Sequence, residues 1–227
     1  SDMKTWLPVD LIIKKLVDEW KLKDMYITSK ISPSSLWAVP LNKARVKQVI
    51  QQHIDNCGGK IWTLHMHMIP PTYTAEDITI VLDAIKEQVA LWNVKTMWMS
   101  NCSLWQLQWA LNKWYPIKVI QVEWSPYYRD EQLREFCKQQ GIIVQVYAPF
   151  GGDRDHDQKL MDYDKANPID NALIKDIATK LWKTPHQVIL RRLIQQWVVP
   201  LPQSNNDVHQ KQNEDVYDRS LSDEDMR

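Results

Sequence analysis

Glycine is scarce in this chain, with five in 227 residues against twelve tryptophans and only two phenylalanines. Ordinary chains carry about 7% glycine, so tight turns between strands and helices must be made here with little of it. Cysteine is equally sparse. Cys57, Cys102 and Cys137 have no CxxC spacing, which excludes a disulfide framework or zinc ribbon and reads as reduced thiols of a cytosolic protein. Charge of one sign is missing too: 28 basic residues balance 28 acidic ones. No net field therefore favours nucleic acid or an anionic membrane surface. No apolar run reaches membrane length and no signal-like segment opens the chain, so the expectation is a cytoplasmic protein without a membrane partner.

What is present is regular alternation of extended and helical patterns. Val9, Ile12, Ile13, Leu16 and Val17 form one apolar stripe at helical spacing, followed by a short strand at 25–30. A second stripe through Val46, Val49, Ile50 and Ile54 precedes the strand IWTLHMH at 61–67. Thr74 and Asp77 form a capping-box start for a helix buried through Ile78, Val81, Leu82, Ile85 and Val89. The strand at 95–99, a Ser103-capped helix and the strand at 117–122 come next. Later, Leu173, Ile174, Ile177 and Leu181 share a helical face, and Thr184, Pro185 and Gln187 open another helix. A strand at 198–202, a polar helix after Asp207 and the start of a further helix in LSDEDMR complete the order. Such alternation predicts a parallel α/β sheet with right-handed crossovers. No repeat, linker or low-complexity run interrupts it, so residues 1–227 read as a single domain.

The segment QVEWSPYYRDEQLREFCKQQGIIVQVYAPFGG, from Gln121 to Gly152, is a complete βαβ unit with its functional side chains at strand ends. It resembles the sixth and seventh strands of an aldo-keto reductase. KLVDEWKLKDMYITSK (15–30), LHMHMIPP (64–71), WMSNCS (98–103) and KTPHQVILRRLIQQWVVPLPQS (183–204) resemble further segments of that family, in the same order. The resemblance implies a TIM-type (β/α)8 barrel that passes hydride from NADP(H) or NAD(H) to a small aldehyde or ketone. Six strands are visible in the pattern, so the barrel is expected to be incomplete.

Carried over position by position, the resemblance makes Lys30 and His67 catalytic. It assigns the nicotinamide carboxamide to Ser100, Asn101 and Gln121, the stacking platform to Tyr147, and a cofactor contact to Phe150. The family's Pro-Lys-Ser becomes Pro202-Gln203-Ser204, its arginine position holds His209, and its glutamate position holds Gln212, while Asn213 is retained. The family's first two strands, with an aspartate and the proton-donating tyrosine, have no counterpart in the pattern. Tyr73, Tyr127 and Tyr128 lie near strand ends, but nothing in the sequence places one on the substrate. Trp20, Trp92, Trp98, Trp182 and Trp197 stand where the family usually has glycine, several of them at helix ends where a left-handed backbone is wanted.

Plainer readings stand beside these. Lys30 fits a solvated turn, Tyr147 a core aromatic, and Ser100-Asn101 a turn. His65 and His67 share a strand face, but two ligands do not make a metal site, and none is assigned. A relative acting as a binding or structural partner, and a chain without activity, remain as alternatives, with the oligomeric state open. Loss of two phosphate contacts at Gln203 and His209, each worth ~1.5–3 kcal/mol, predicts weak preference for NADPH over NADH.

Overall fold

The computed structural model describes residues 28–32, 36, 41–59, 61–151 and 167–227. The stripe at 9–17, Trp20 and the first residues of the 25–30 strand lie outside them. The chain divides into two compact units, Ser1–Ile120 and Gln121–Arg227.

In the first unit, β1 (Thr28–Ile31), α1 (Lys43–Asn56), β2 (Ile61–Met66), α2 (Ala75–Ala90), β3 (Val94–Ser100) and α3 (Leu104–Asn112) alternate up to β4 (Ile117–Glu123). β1 pairs with β2 and β2 with β3, all parallel, with Lys30 opposite His65 and His65 opposite Trp98. The helices form where the apolar spacing requires. Val46, Ile50 and Ile54 of α1, and Ile78, Val81, Leu82 and Ile85 of α2, are buried.

Asp77 fixes the start of α2. Its carboxylate accepts from the Leu41 backbone N–H at 2.8 Å, the Thr74 N–H at 2.9 Å and the Thr74 hydroxyl at 2.8 Å. These donors hold the carboxyl below its usual range. Asp77→Ala leaves a buried backbone N–H without its acceptor, and a loss of about 2–4 kcal/mol is expected in urea unfolding. A loss within 0.5 kcal/mol, roughly that of an ordinary surface substitution, would show that the box is dispensable.

In the second unit, α4 (Glu131–Gln140), β5 (Ile143–Tyr147), a 3₁₀ turn (Pro168–Asp170), α5 (Ala172–Leu181), α6 (Pro185–Gln195), β6 (Val198–Pro200) and α7 (Asp207–Glu214) follow. β5 and β6 are parallel, with Val144 opposite Val198. Ile177, Ala178, Val188 and Leu221 form a small core, with Ile174, Leu181 and Met226 packed against it. Lys183 bridges Asp215 at 2.7 Å and Asp218 at 2.9 Å, and Gln187 donates to the Asp215 carbonyl at 2.8 Å. These bonds tie the segment after α7 onto α6.

The strands follow the sheet order β1-β2-β3-β4-β5-β6. This is the expected parallel α/β class of TIM-barrel type, with six strands described where a closed barrel of the class has eight. One local expectation needs correction. The last strand ends at Pro200 rather than 202, because Pro200 and Pro202 have no N–H to extend a ladder. LSDEDMR makes the single helical turn expected of a helix start: the Met226 N–H donates to the Ser222 carbonyl at 3.0 Å, and Ser222 and Asp225 form a capping box. Of the tryptophans at family glycine positions, Trp98 sits in the extended run of β3. Trp92, Trp182 and Trp197 do have left-handed backbone, at φ 61°, 57° and 63°.

Candidate functional site

The chemistry of the first unit gathers at the C-terminal ends of β1, β2 and β3. Neighbouring residues in a parallel ladder point to the same face, and side chains alternate along each strand. Lys30, His65 and Trp98 are ladder neighbours, so they form one layer. Ser100 lies two residues further along β3 and faces the same way, one layer nearer the strand end, and His67 follows directly after the end of β2, two residues past His65. The His67 N–H donates to the Ile31 carbonyl at 2.9 Å, and the Asn101 amide donates to the His67 carbonyl at 2.8 Å. Asn101 adopts φ 50°, which asparagine tolerates better than most residues. The turns after β1, β2 and β3 are thereby locked together.

Electrostatics separate the roles. Lys30 is half-buried, and desolvation lowers its pKa. His67 is lowered by desolvation first and by the Lys30 charge second. Both shifts favour the uncharged forms, the lysine's because its ammonium loses water and the imidazole's because burial and the lysine charge oppose a second proton. His65, fully buried beneath them, is pulled down to about 3 by burial, then by Lys30 and His67. Neither of its ring nitrogens has a hydrogen-bond partner, and the same holds for Thr63 Oγ1 and Trp98 Nε1 nearby on this face. The His65 and Trp98 rings lie 5.7 Å apart. Among the described residues no three His, Cys, Asp or Glu side chains gather as a metal site.

The second unit carries the other assigned residues. Gln121 is buried on β4 and donates its amide to Gln145 Oε1 at 3.0 Å. Gln145 shares the face of β5 with Tyr147, two residues on, which is half-buried at the strand end. Phe150 packs edge-on against His186, with 4.6 Å between centroids. His186 is lowered by burial and by His209, so His209 approaches the same neighbourhood. Gln203 is exposed. Ser204 Oγ accepts from the Asn206 N–H at 3.1 Å, and its carbonyl accepts from Gln210 at 2.8 Å. Gln212 and Asn213 are half-buried on α7.

Asn206 was not singled out in the sequence, yet its side chain accepts from the Val208 and His209 N–H groups. Those are the donors a phosphate at the α7 N-terminus would use, so a side chain already satisfies them. Gln145 was also missed as a neighbour of the assigned residues, although its i+2 spacing to Tyr147 was the available signal.

Two of the tyrosines near strand ends have identifiable surroundings. Tyr127 OH accepts from Asn171 at 3.0 Å. Tyr73 is raised by burial and by Asp77, which makes it a poorer acid. All three cysteines are buried, and burial pushes the Cys137 thiol up to about 12. A cavity of about 590 Å³ in the second unit is lined by Gly141, Ile143, Trp197 and Val199, at the N-terminal ends of β5 and β6. Of the assigned residues it touches only Asn213, so it is not where the chemistry lies.

The family model for the aldo/keto reductase family matches residues 9–227, and the chain belongs to this family. It is 32% identical to aldo-keto reductase family 1 member C1 of Pongo abelii, covering 96% of this chain and 72% of that protein. It is 28% identical to aldo-keto reductase family 1 member C15 of Rattus norvegicus, covering 91% of this chain and 68% of that one. Deoxymugineic acid synthase 1 of Zea mays is 27% identical, over 90% and 67% of the two lengths. Among solved structures, an aldo-keto reductase from a Medee basin deep-sea metagenome library superposes with a TM-score of 0.76 at 23% identity, over 90% of this chain and 69% of that one. An aldo/keto reductase from Brucella melitensis also gives 0.76, at 18% identity, over 96% and 77%. The family's members are NAD(P)H-dependent carbonyl reductases.

Proposed function

We propose that this chain, as one barrel-type domain over residues 1–227, reduces a small aldehyde or ketone to the alcohol with NADPH or NADH. The observation that carries the reading is the stacked pair of layers at the ends of β1, β2 and β3. There Lys30 pairs in register with His65, two residues before His67, and the lysine charge adds to burial in lowering the His67 pKa. Both side chains can donate to one carbonyl oxygen as negative charge builds on it. The cofactor, when bound, supplies the hydride. The family resemblance gives its nicotinamide amide to the buried Ser100 hydroxyl and the Asn101 amide of the first unit and to the Gln121 amide of the second, groups whose donors and acceptors complement an amide. Tyr147 offers the ring face for stacking and Phe150 a further contact. By the same resemblance, Gln203, Ser204, His209, Gln212 and Asn213 would hold the adenosine end.

Cytoplasmic location accords with three reduced buried cysteines, and no described helix is long and apolar enough to cross a membrane. Preference between the two cofactors follows from the α7 end. Gln203 is neutral, His209 is exposed, and Asn206 already occupies the helix N–H groups. A 2′-phosphate therefore gains little, and the KM for NADPH is expected within about tenfold of that for NADH, or ~1.4 kcal/mol. Initial rates with an aromatic aldehyde, following cofactor absorbance, test both points. Steady oxidation with either cofactor supports the reading. A hundredfold preference for NADPH would contradict the account of α7, and absence of turnover with any aldehyde or ketone would contradict the reductase itself.

A further inference from the structure

Six described helices stop on a residue with left-handed backbone, and the stops are nearly identical. After α1 and α4 the residue is glycine: Gly58 donates to Asp55 O and Gly59 to Ile54 O, while Gly141 donates to Lys138 O and Ile142 to Cys137 O. After α2, α3 and α5 the same pair of bonds recurs with tryptophan in the glycine place. Trp92 donates to Val89 O and Asn93 to Gln88 O. Trp114 donates to Leu111 O and Tyr115 to Ala110 O. Trp182 donates to Thr179 O and Lys183 to Ala178 O. Trp197, after α6, has φ 63° and donates to Ile194 O. This is the Schellman stop, whose left-handed position is normally glycine, because a Cβ there meets the backbone.

Nothing about the four side chains repays that strain. Trp92, Trp114, Trp182 and Trp197 are 76%, 86%, 90% and 81% exposed. Only Trp92 has a partner of note, Lys95 at 5.9 Å from its ring. A docking surface would use tryptophan for its area, but it has no need of left-handed backbone, and these four share that backbone. The shared feature is the one glycine serves.

We infer that positions 92, 114, 182 and 197 are glycine in the polypeptide made by the protein's own cells, through a codon rendered here as tryptophan but translated there as glycine. One reassigned codon accounts for all four, and for the joint excess of tryptophan and shortage of glycine. Trp114 belongs to this set on its backbone alone.

Peptide mass spectrometry of the protein isolated from its source cells tests the inference directly. The tryptic peptides Glu87–Lys95 and Leu193–Lys211 carry positions 92 and 197, and each is expected at its glycine mass. A tryptophan mass in either overturns the inference. A second measurement compares this chain with its W92G/W114G/W182G/W197G variant, both made recombinantly. The variant is expected to melt roughly 8–16 °C higher, at ~2–4 °C for each position relieved of about 1 kcal/mol of strain. A variant that melts no higher than the tryptophan chain overturns the physical basis of the inference.

Discussion

Between pH 7.5 and pH 4.5 the protein is expected to lose about 3 kcal/mol of folding stability through His65 alone. The ring is fully buried, both nitrogens lack partners, and the lysine beside it opposes a second positive charge. Its pKa of about 3 lies below the 6.5 of an unfolded chain. Above pH 6.5 the residue is neutral in both states and contributes no pH dependence. Below 6.5 the unfolded chain takes a proton that the fold refuses, and each further pH unit costs ~1.4 kcal/mol. The loss is complete near pH 3, at roughly 4–5 kcal/mol. His67 is lowered too and adds in the same direction. Carboxylates such as Asp77 also weaken the fold in acid, so the measurement is a difference. His65→Leu, which replaces the orphaned ring by an apolar side chain of comparable bulk, should flatten the urea-derived stability between pH 7.5 and 4.5 by about 3 kcal/mol relative to the parent. An unchanged slope would show that His65 finds a partner or protonates in place.

Lys30→Met is expected to lower kcat/KM for aldehyde reduction roughly 10²–10³-fold, the usual consequence of deleting one preorganised charge at a developing oxyanion. Methionine keeps most of the stem, so packing at the end of β1 is retained and the electrostatic contribution is isolated. The substitution also removes the positive charge that depresses both histidines, so the pKa of His67 should rise. An NMR titration of the imidazole reads that rise without reference to turnover. His67→Ala removes the second donor but leaves the lysine charge, and the double variant should fall little further than Lys30→Met if the two act on one oxygen. Equal activity of the parent and Lys30→Met would remove the lysine from the chemistry.

Much of this was readable from residues alone, for identifiable reasons. Strand–helix alternation came through because buried positions at helical spacing, such as Val46, Ile50 and Ile54, are dictated by the core. Asp77 and Gln187 were legible because a capping box is a local device within four residues. His67 and Lys30 stood out through resemblance, and the shared face of His65 and His67 follows from strand parity. Other features depend on cross-strand register, which the order of residues does not contain. That is why the layer joining Lys30, His65 and Trp98 needed the pairing of β1 with β2 and β3, and why the amide pair of Gln121 with Gln145 was missed. Asn206 was hidden by the family pattern, which draws attention to Gln203 and His209 on either side of it. Trp114 escaped because no family glycine marked its place; only its backbone angle does.

The measurement closest to the central claim is a titration of the intact chain with NADPH and then NADH, following tryptophan fluorescence. The account predicts saturable quenching by both in the micromolar range, with dissociation constants within about tenfold of each other, or ~1.4 kcal/mol. No change in fluorescence at millimolar concentrations of either would contradict it and leave the chain a member of the family without the family's cofactor.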